Sequence, residues 1–301
     1  MRWVMGLAML LSLTATVGAA EQDIELSVGG RTVLATLRTP ASMQPETPLV
    51  VMTHGTLAHK DMDVIRTLAK ALADRGIASL AHTLSLGQDR RKGMYDCATR
   101  HDYVTDDAAA EIGAWIRHAQ GISRRVYAFG HSRGGNQVAR YLAGGASPPL
   151  GGAVLLAPVT ATAEAALRSS YAATYGKPLE PLLEQATKAV AAGRGGEWMD
   201  APGFIYCRNA VVTARAFASF YGANAGQDTV ALVAQLNMPV LVLAASKDAV
   251  VPDVATSFAT LVGASNGRVQ LTTIEDADHF FRDLFAEDAA DRIVEFIKQI
   301  R

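Results

Sequence analysis

Six short apolar runs punctuate the chain, at residues 49–53, 77–82, 126–130, 153–157, 240–245 and 269–274, each bounded by Gly, Pro or charge. Runs that stay apolar on both alternating faces suit strands buried in a parallel sheet. Between them lie stretches with helical spacing. Ile65, Leu68, Ala69 and Leu72 recur at i, i+3, i+4 and i+7, and Gly76 stands where such a helix would stop. Val104, Ala108, Ile112, Trp115, Ile116 and Ala119 form a second apolar face, with Asp106 and Asp107 in its first turn. Ile293, Ile297 and Ile300 line a final helix. Ahead of the alternation, residues 23–28 and 32–38 read as two strands joined at Gly29-Gly30, a hairpin signal. Strand and helix in turn predict an α/β fold with a doubly wound, mostly parallel sheet.

One stretch breaks that rhythm. From about residue 160 to 235 no good strand is evident, and 161–191 is rich in Ala and Leu with Pro178 and Pro181 as interruptions. Gly193–Gly196 and Pro202-Gly203 act as breakers, and 210–221 looks helical again. The pattern predicts a mostly helical insertion over the sheet, a candidate lid, rather than a separate domain. Its aromatic residues, Tyr171, Tyr175, Trp198, Phe204, Phe217, Phe220 and Tyr221, are expected to pack the insertion, with some turned to a cleft beneath it.

The first twenty residues differ from all that follow. Arg2 precedes an apolar run from Trp3 to Val17, and Gly18-Ala19-Ala20 ends it with small residues. This is the pattern of a secretory signal peptide with cleavage after Ala20, leaving a domain of residues 21–301 with no stable membrane span. Export to the periplasm or beyond is the expected localisation. The 28 basic and 29 acidic residues of the chain are nearly balanced, which argues against nucleic acid as a partner. Of the two cysteines, Cys97 and Cys207, neither belongs to a C-x-x-C pair or a Cys/His cluster, so no zinc site of ordinary spacing is expected.

Gly130-His131-Ser132-Arg133-Gly134 follows an apolar strand and precedes a helical pattern carrying Val138, Tyr141 and Leu142. A serine on so sharp a strand-to-helix turn needs glycine on both sides, because side chains there would strike the backbone. The turn exposes the hydroxyl at a helix N-terminus, where peptide dipoles favour developing negative charge. Serine is a weak nucleophile without a base and a group that orients the base. Asp248 directly follows the run 240–245, at a strand's C-terminal end, where parallel-sheet loops converge on a ligand crevice. Asp253, beyond Pro252, reads as a helix cap. His279 follows the run 269–274 and is the one histidine beyond Asp248. The backbone amides of Thr56, turned by Gly55, and of Arg133 are the candidate oxyanion donors. His54, His82 and His131 are expected to be structural, and Asp278 to point away from His279.

G-H-S-R-G at 130–134, H-G-T at 54–56, S-K-D at 246–248 and D-H-F at 278–280 together resemble the α/β-hydrolase superfamily across nearly all of the chain after residue 20. The resemblance implies an eight-stranded, mostly parallel sheet and acyl-enzyme chemistry on a small-molecule acyl substrate, with no cofactor. The H-G-T segment departs from the H-G-G-G pattern of one lipase and esterase branch. Acyl transfer, peptide hydrolysis or a non-catalytic binding role on the same scaffold are the competing readings. Arg90, Arg91 and Lys92 are expected to form a solvated basic turn, or else a steering patch for an anionic substrate. In an oxidising compartment Cys97, beside the cleft, and Cys207, in the insertion, are candidates for one disulfide that ties lid to core.

Overall fold

The computed structural model describes residues 19–300 apart from 146 and 224, so the signal-peptide pattern lies outside the described residues but for its last two positions. An antiparallel hairpin of β1 (Ala20–Val28) and β2 (Arg31–Thr39) comes first. Its turn residues Gly29 and Gly30 have φ of 57° and 77°, a left-handed pair that glycine adopts without steric cost. The alternation follows as β3 (Leu49–Thr53), α1 (Asp63–Asp74), β4 (Ala78–Thr83), α2 (Thr105–Gln120), β5 (Val126–His131), α3 (Arg133–Ala143) and β6 (Gly152–Leu156). The insertion holds α4 (Ala161–Ser169), α5 (Tyr171–Tyr175), α6 (Leu179–Ala191), β7 (Trp198–Phe204), β8 (Cys207–Thr213), α7 (Ala214–Tyr221) and α8 (Thr229–Ala234). The alternation then resumes with β9 (Val240–Ala245), α9 (Val254–Ala264), β10 (Val269–Ile274) and α10 (Leu284–Gln299).

Eight strands form one sheet in the order β1-β2-β4-β3-β5-β6-β9-β10. The first hairpin and the β2–β4 pairing are antiparallel, and every pairing from β4 to β10 is parallel. The period of two along each strand divides its side chains between two cores. In β3, Leu49 and Val51 face one core while Val50 and Met52 face the other. Val126 and Ala128 against Tyr127 and Phe129 repeat the division in β5. Both faces are therefore covered, which is why these strands read as unbroken apolar runs rather than alternating ones. On the first face α2 buries Ile112, Trp115, Ile116 and Ala119 completely. On the second, Leu68 and Leu72 of α1 join Ile293 and Ile297 of α10.

The insertion departs from the expectation of a mostly helical segment without a good strand, because β7 and β8 form a separate antiparallel hairpin. Pro202-Gly203, a strand breaker by composition, lies inside β7. Proline lacks an N–H, and the position where Pro202 faces Asn209 is the one step at which the ladder makes no pair. A two-stranded ribbon has only edge strands and tolerates the gap. The aromatic residues fill the space between this ribbon and the helices: Tyr171, Phe204, Phe217 and Tyr221 are fully buried, whereas Trp198 remains exposed.

Several bonds fasten the ribbon to the segment between β4 and α2. Cys97 and Cys207 are joined in a disulfide. The His101 N–H donates to the Val211 carbonyl at 2.8 Å, and the Thr213 N–H donates to the His101 carbonyl at 3.0 Å. Arg215 grips the Asp102 carboxylate through two nitrogens at 2.6 and 2.7 Å. The disulfide spans 110 residues of sequence, and closing so long a loop in the unfolded chain stabilises the fold by up to about 5 kcal/mol. The double substitution Cys97→Ser with Cys207→Ser should accordingly lower the melting temperature by roughly 10 °C. Calorimetry checks this, and an unchanged melting temperature would show that the ribbon needs no covalent tie.

Candidate active site

Ser132 is the pivot between β5 and α3, with φ 55° and ψ −123°. Such a backbone costs about 1–3 kcal/mol in a residue with a side chain and persists only where its surroundings over-determine it. Three hydrogen bonds do so. The Ser132 N–H donates to the Leu156 carbonyl at 2.9 Å, and its own carbonyl accepts from Gly135 at 2.9 Å and Val159 at 3.2 Å. The flanking glycines have no room for more. A Cβ on Gly130 would lie 2.3 Å from the Gly134 carbonyl oxygen, and one on Gly134 would lie 2.4 Å from that of His54. The second approach presses the start of α3 against the loop after β3.

That loop is held from below. His54 is buried, its Nδ1 donates to the Gly55 carbonyl at 2.8 Å, and its Nε2 accepts from the Leu84 N–H at 3.0 Å. Burial, with the charge of Arg91 beside it, pushes the His54 imidazole well below its ordinary pKa, so it is neutral. Arg91 corrects the expectation of a solvated or steering basic turn, being only 4% exposed. Its guanidinium donates to the carbonyls of Leu84, Gly93 and Ala58 at 2.6 to 2.8 Å and bolts the β3 and β4 loops together. Arg90 instead pairs with Glu25 at the surface. Past Gly55 the chain turns through Leu57 at φ 56°. Among the described residues, neither the Thr56 N–H nor the Arg133 N–H donates to a protein acceptor.

His279 follows β10, and its Nδ1 lies 2.7 Å from Asp248 Oδ2 in the loop after β9. The other carboxylate oxygen accepts from the Val250 and Val251 N–H groups, both at 2.7 Å. Burial alone would raise the Asp248 pKa, but the hydrogen bonds from His279 and these two amides outweigh it and lower it. Asp248 is thus a buried anion that fixes the imidazole with Nδ1 as donor, leaving Nε2 free to accept. Asp253 does sit at the N-cap position of α9, yet its carboxylate accepts from the Thr160 and Ser257 hydroxyls instead of a helix amide. Asp278 turns away to the Phe280 N–H and Arg282.

Ser132 and His279 line one open cavity of about 400 Å³, together with Gly55 and Thr56. Among the described residues Ser132 Oγ and His279 share no hydrogen bond, a contact that commonly tightens when substrate binds. His131 lines the same cavity, but burial foremost, with His279 adding to it, pushes its pKa down to about 3. Its Nε2 donates to the His279 carbonyl at 2.9 Å, so it braces the loop and is not a rival base. A smaller space of about 50 Å³ adjoins the Gly55–Thr56 turn, lined by Leu84, Leu86, Ile205 and Phe220 and also by Glu111 and Arg133.

The sequence singles out Ser132, Asp248, His279, Thr56 and Arg133 and misses three other features. The Arg133 side chain, half-buried, forms an ion pair with the buried Glu164 of α4 at 2.6 Å, and lies over the Phe220 ring. Nothing in the Ala-rich composition of α4 distinguishes Glu164. Arg91 was hidden in a charge run. Tyr206, at the ribbon tip, lines the same cavity as Ser132, and its sequence cue is its place beside Cys207. Among the described residues no three His, Cys, Asp or Glu side chains converge as a metal site, and no helix is long and apolar enough to cross a membrane.

A parallel sheet whose central strand ends in a strained serine turn, with an acid and a histidine on the next loops, defines the α/β-hydrolase class. The chain belongs to the alpha/beta hydrolase family, whose model matches residues 50–296. No curated protein matches it in sequence. Among solved structures it is similar to Est1E from Butyrivibrio proteoclasticus, with 18% identity, TM-score 0.60, and 93% of this chain and 99% of that one covered. An esterase from Pyrococcus furiosus matches with 16% identity and TM-score 0.63, covering 94% of this chain and 92% of that one. The esterase domain of a Rhodothermus marinus protein matches with 14% identity and TM-score 0.58, covering 93% and 98%. At such identities the likeness is one of fold.

The buried histidines make the fold sensitive to acid. Burial lowers His82 and His131 to about 3 and His101 to about 4. Unfolded, each takes a proton near pH 6.5. The unfolded chain therefore binds more protons from about pH 6.5 down to 4, and stability falls as pH falls through that window. His101 packs on the Tyr95 and Phe204 rings, so His101→Phe should melt over a smaller range of temperatures between pH 7 and 4 than the parent chain. Equal slopes for the two proteins would contradict this.

Proposed function

We propose that the protein is an exported serine hydrolase acting on acyl esters, with Ser132 as nucleophile, His279 as base and Asp248 as its orienting acid. The observation that carries this reading is the strained Ser132 turn opening on the cavity that His279 also lines, with His279 anchored through Nδ1 to Asp248. A carboxylate on one ring nitrogen holds the other in the tautomer that accepts a proton.

In the proposed reaction Ser132 Oγ bonds to the acyl carbon as His279 Nε2 takes the hydroxyl proton. The carbonyl oxygen becomes an oxyanion, received by the Thr56 and Arg133 amides, which have no protein acceptor among the described residues. Collapse re-forms the carbonyl and breaks the bond to the leaving alcohol, which departs with the proton from His279. Water then gives its proton to His279 and its oxygen to the acyl carbon, releasing the carboxylic acid and restoring Ser132. No metal or cofactor takes part in this scheme. Export is supported by the pattern of the first twenty residues and by the Cys97–Cys207 disulfide, a bond favoured in oxidising compartments. The insertion serves as a lid in this reading.

A fluorophosphonate should label Ser132 of the parent chain and leave Ser132→Ala unlabelled, as read by intact-protein mass. Asp248→Asn should remain folded and lose roughly 10⁴-fold in turnover of a simple ester, because the histidine is then held in the wrong tautomer. Labelling that persists in Ser132→Ala, or an Asp248→Asn enzyme of near-normal turnover, would remove these roles.

A further inference from the structure

Tyr206 is 57% exposed although it is a large aromatic side chain and lines the cavity shared by Ser132 and His279. Its neighbours in sequence are tied down by several bonds. Ile205, a β-branched residue, has φ 57°, where such side chains are genuine outliers. Its N–H donates to Tyr221 Oη at 2.9 Å, and its carbonyl accepts from Tyr175 Oη at 2.5 Å. On the other side, Cys207 is buried and tied to Cys97. Strain held in place by so many bonds is typical of segments that serve a site. The effect is to pin both flanks of the ribbon tip and present a single ring at the cavity mouth.

The cavity's composition says what that ring meets. Of the described residues lining it, none is an acid, a lysine or an arginine. Met62, Val250 and Phe280 supply its remaining large apolar surface, and Val250 is itself 47% exposed. An aromatic ring at the rim of a neutral, apolar cavity gains most from a flat π face, by offset stacking or edge-to-face contact.

We propose that Tyr206 is a specificity-determining residue whose ring forms the outer wall against which a flat, uncharged aromatic group of the substrate packs. This rests on the reading of Ser132 as the nucleophile. Tyr206 takes no part in proton transfer, so its contribution falls on substrate binding. The Tyr206 hydroxyl is not required, because the contact is made by the ring.

The test uses neutral esters matched in size, benzyl against cyclohexylmethyl esters on the alcohol side and phenylacetyl against cyclohexylacetyl esters on the acyl side. The whole chain should favour the aromatic member of at least one pair. Tyr206→Ala should lower kcat/KM for that member by roughly three- to tenfold more than for its saturated partner, the range that aromatic pairing supplies. The loss should lie in KM with kcat nearly unchanged, and Tyr206→Phe should restore the preference. Labelling of Ser132 by a small methyl fluorophosphonate should proceed at the same rate in all three proteins. If the esters are turned over and Ser132 is labelled, but Tyr206→Ala affects aromatic and saturated partners equally, the role of Tyr206 is overturned alone. If the parent chain neither turns over any ester nor labels at Ser132, the hydrolase reading fails and the proposal fails with it. Loss of the preference in Tyr206→Phe as well would overturn the ring contact in favour of the hydroxyl.

Discussion

Two pieces of backbone touch at Gly134, and the geometry around Ser132 depends on that contact. The absent side chain lets the first turn of α3 rest against the carbonyl oxygens of Thr53 and His54, each of which would lie within 2.6 Å of a Cβ at that position. The Gly130 side of the turn is equally full, because its neighbour there is also backbone. Backbone cannot yield as a flexible side chain can, so a larger residue at either glycine must displace a strand or a helix. From this closeness follow the strained Ser132 conformation and the nearness of the Arg133 and Thr56 segments. Arg133 Nε reaches Thr56 Oγ1 at 3.2 Å, so the two loops are joined by side chains as well. The neutral His54, wedged between Gly55 and Leu84, keeps the far side of the contact from relaxing.

The insertion is bound to this centre at more than one point. Besides the disulfide and the His101 bonds, Glu164 of α4 meets the Arg133 guanidinium, so the helix that begins the insertion is paired with the residue after Ser132. A buried ion pair contributes little net stability, since removing both charges from water opposes their attraction. Its consequence lies in geometry: loss of either partner leaves the other charge uncompensated, so α4 and the start of α3 are coupled. Arg133 and Phe220 line the small space beside the Gly55–Thr56 turn, and Gly55 and Thr56 line both that space and the open cavity.

Most of the sheet was legible because burial writes itself into composition, and six of its eight strands coincide with apolar runs to within a few residues, while the first two were read from the Gly29-Gly30 turn between them. The serine turn was legible because glycine has few substitutes where backbones touch. Asp248 and His279 could be picked out because parallel topology brings strand C-termini to one edge, so position after a strand predicts position in space. The β7–β8 ribbon was not legible. Its stability comes from a disulfide, a bridge to His101 and an aromatic cluster, all long-range, while its local sequence carries Pro202 and Gly203. Arg91 was misread for a related reason. Charge in sequence says nothing about whether backbone carbonyls stand ready to receive a guanidinium, and here three do.

The ionisable groups near the centre share one pattern, and it bears on what the site can accept. Arg91 is spent on carbonyls, Arg133 on Glu164, and Glu111 on the Ser85 amide and hydroxyl. Asp248 is matched by His279 and two amides. Burial then keeps His54 and His131 uncharged. Each of these charges is thus paired within the protein, and among the described residues the cavity wall carries no acid, lysine or arginine, presenting hydroxyl, imidazole and apolar groups beside the Thr56 amide. An ionised substrate group entering there would surrender hydration and find no counter-charge, at a cost that rises with depth. A neutral group loses little by the same move and gains apolar contact. In the proposed reading, selection against charge then needs no repelling residue at the entrance, because the ions named above are already paired within the protein.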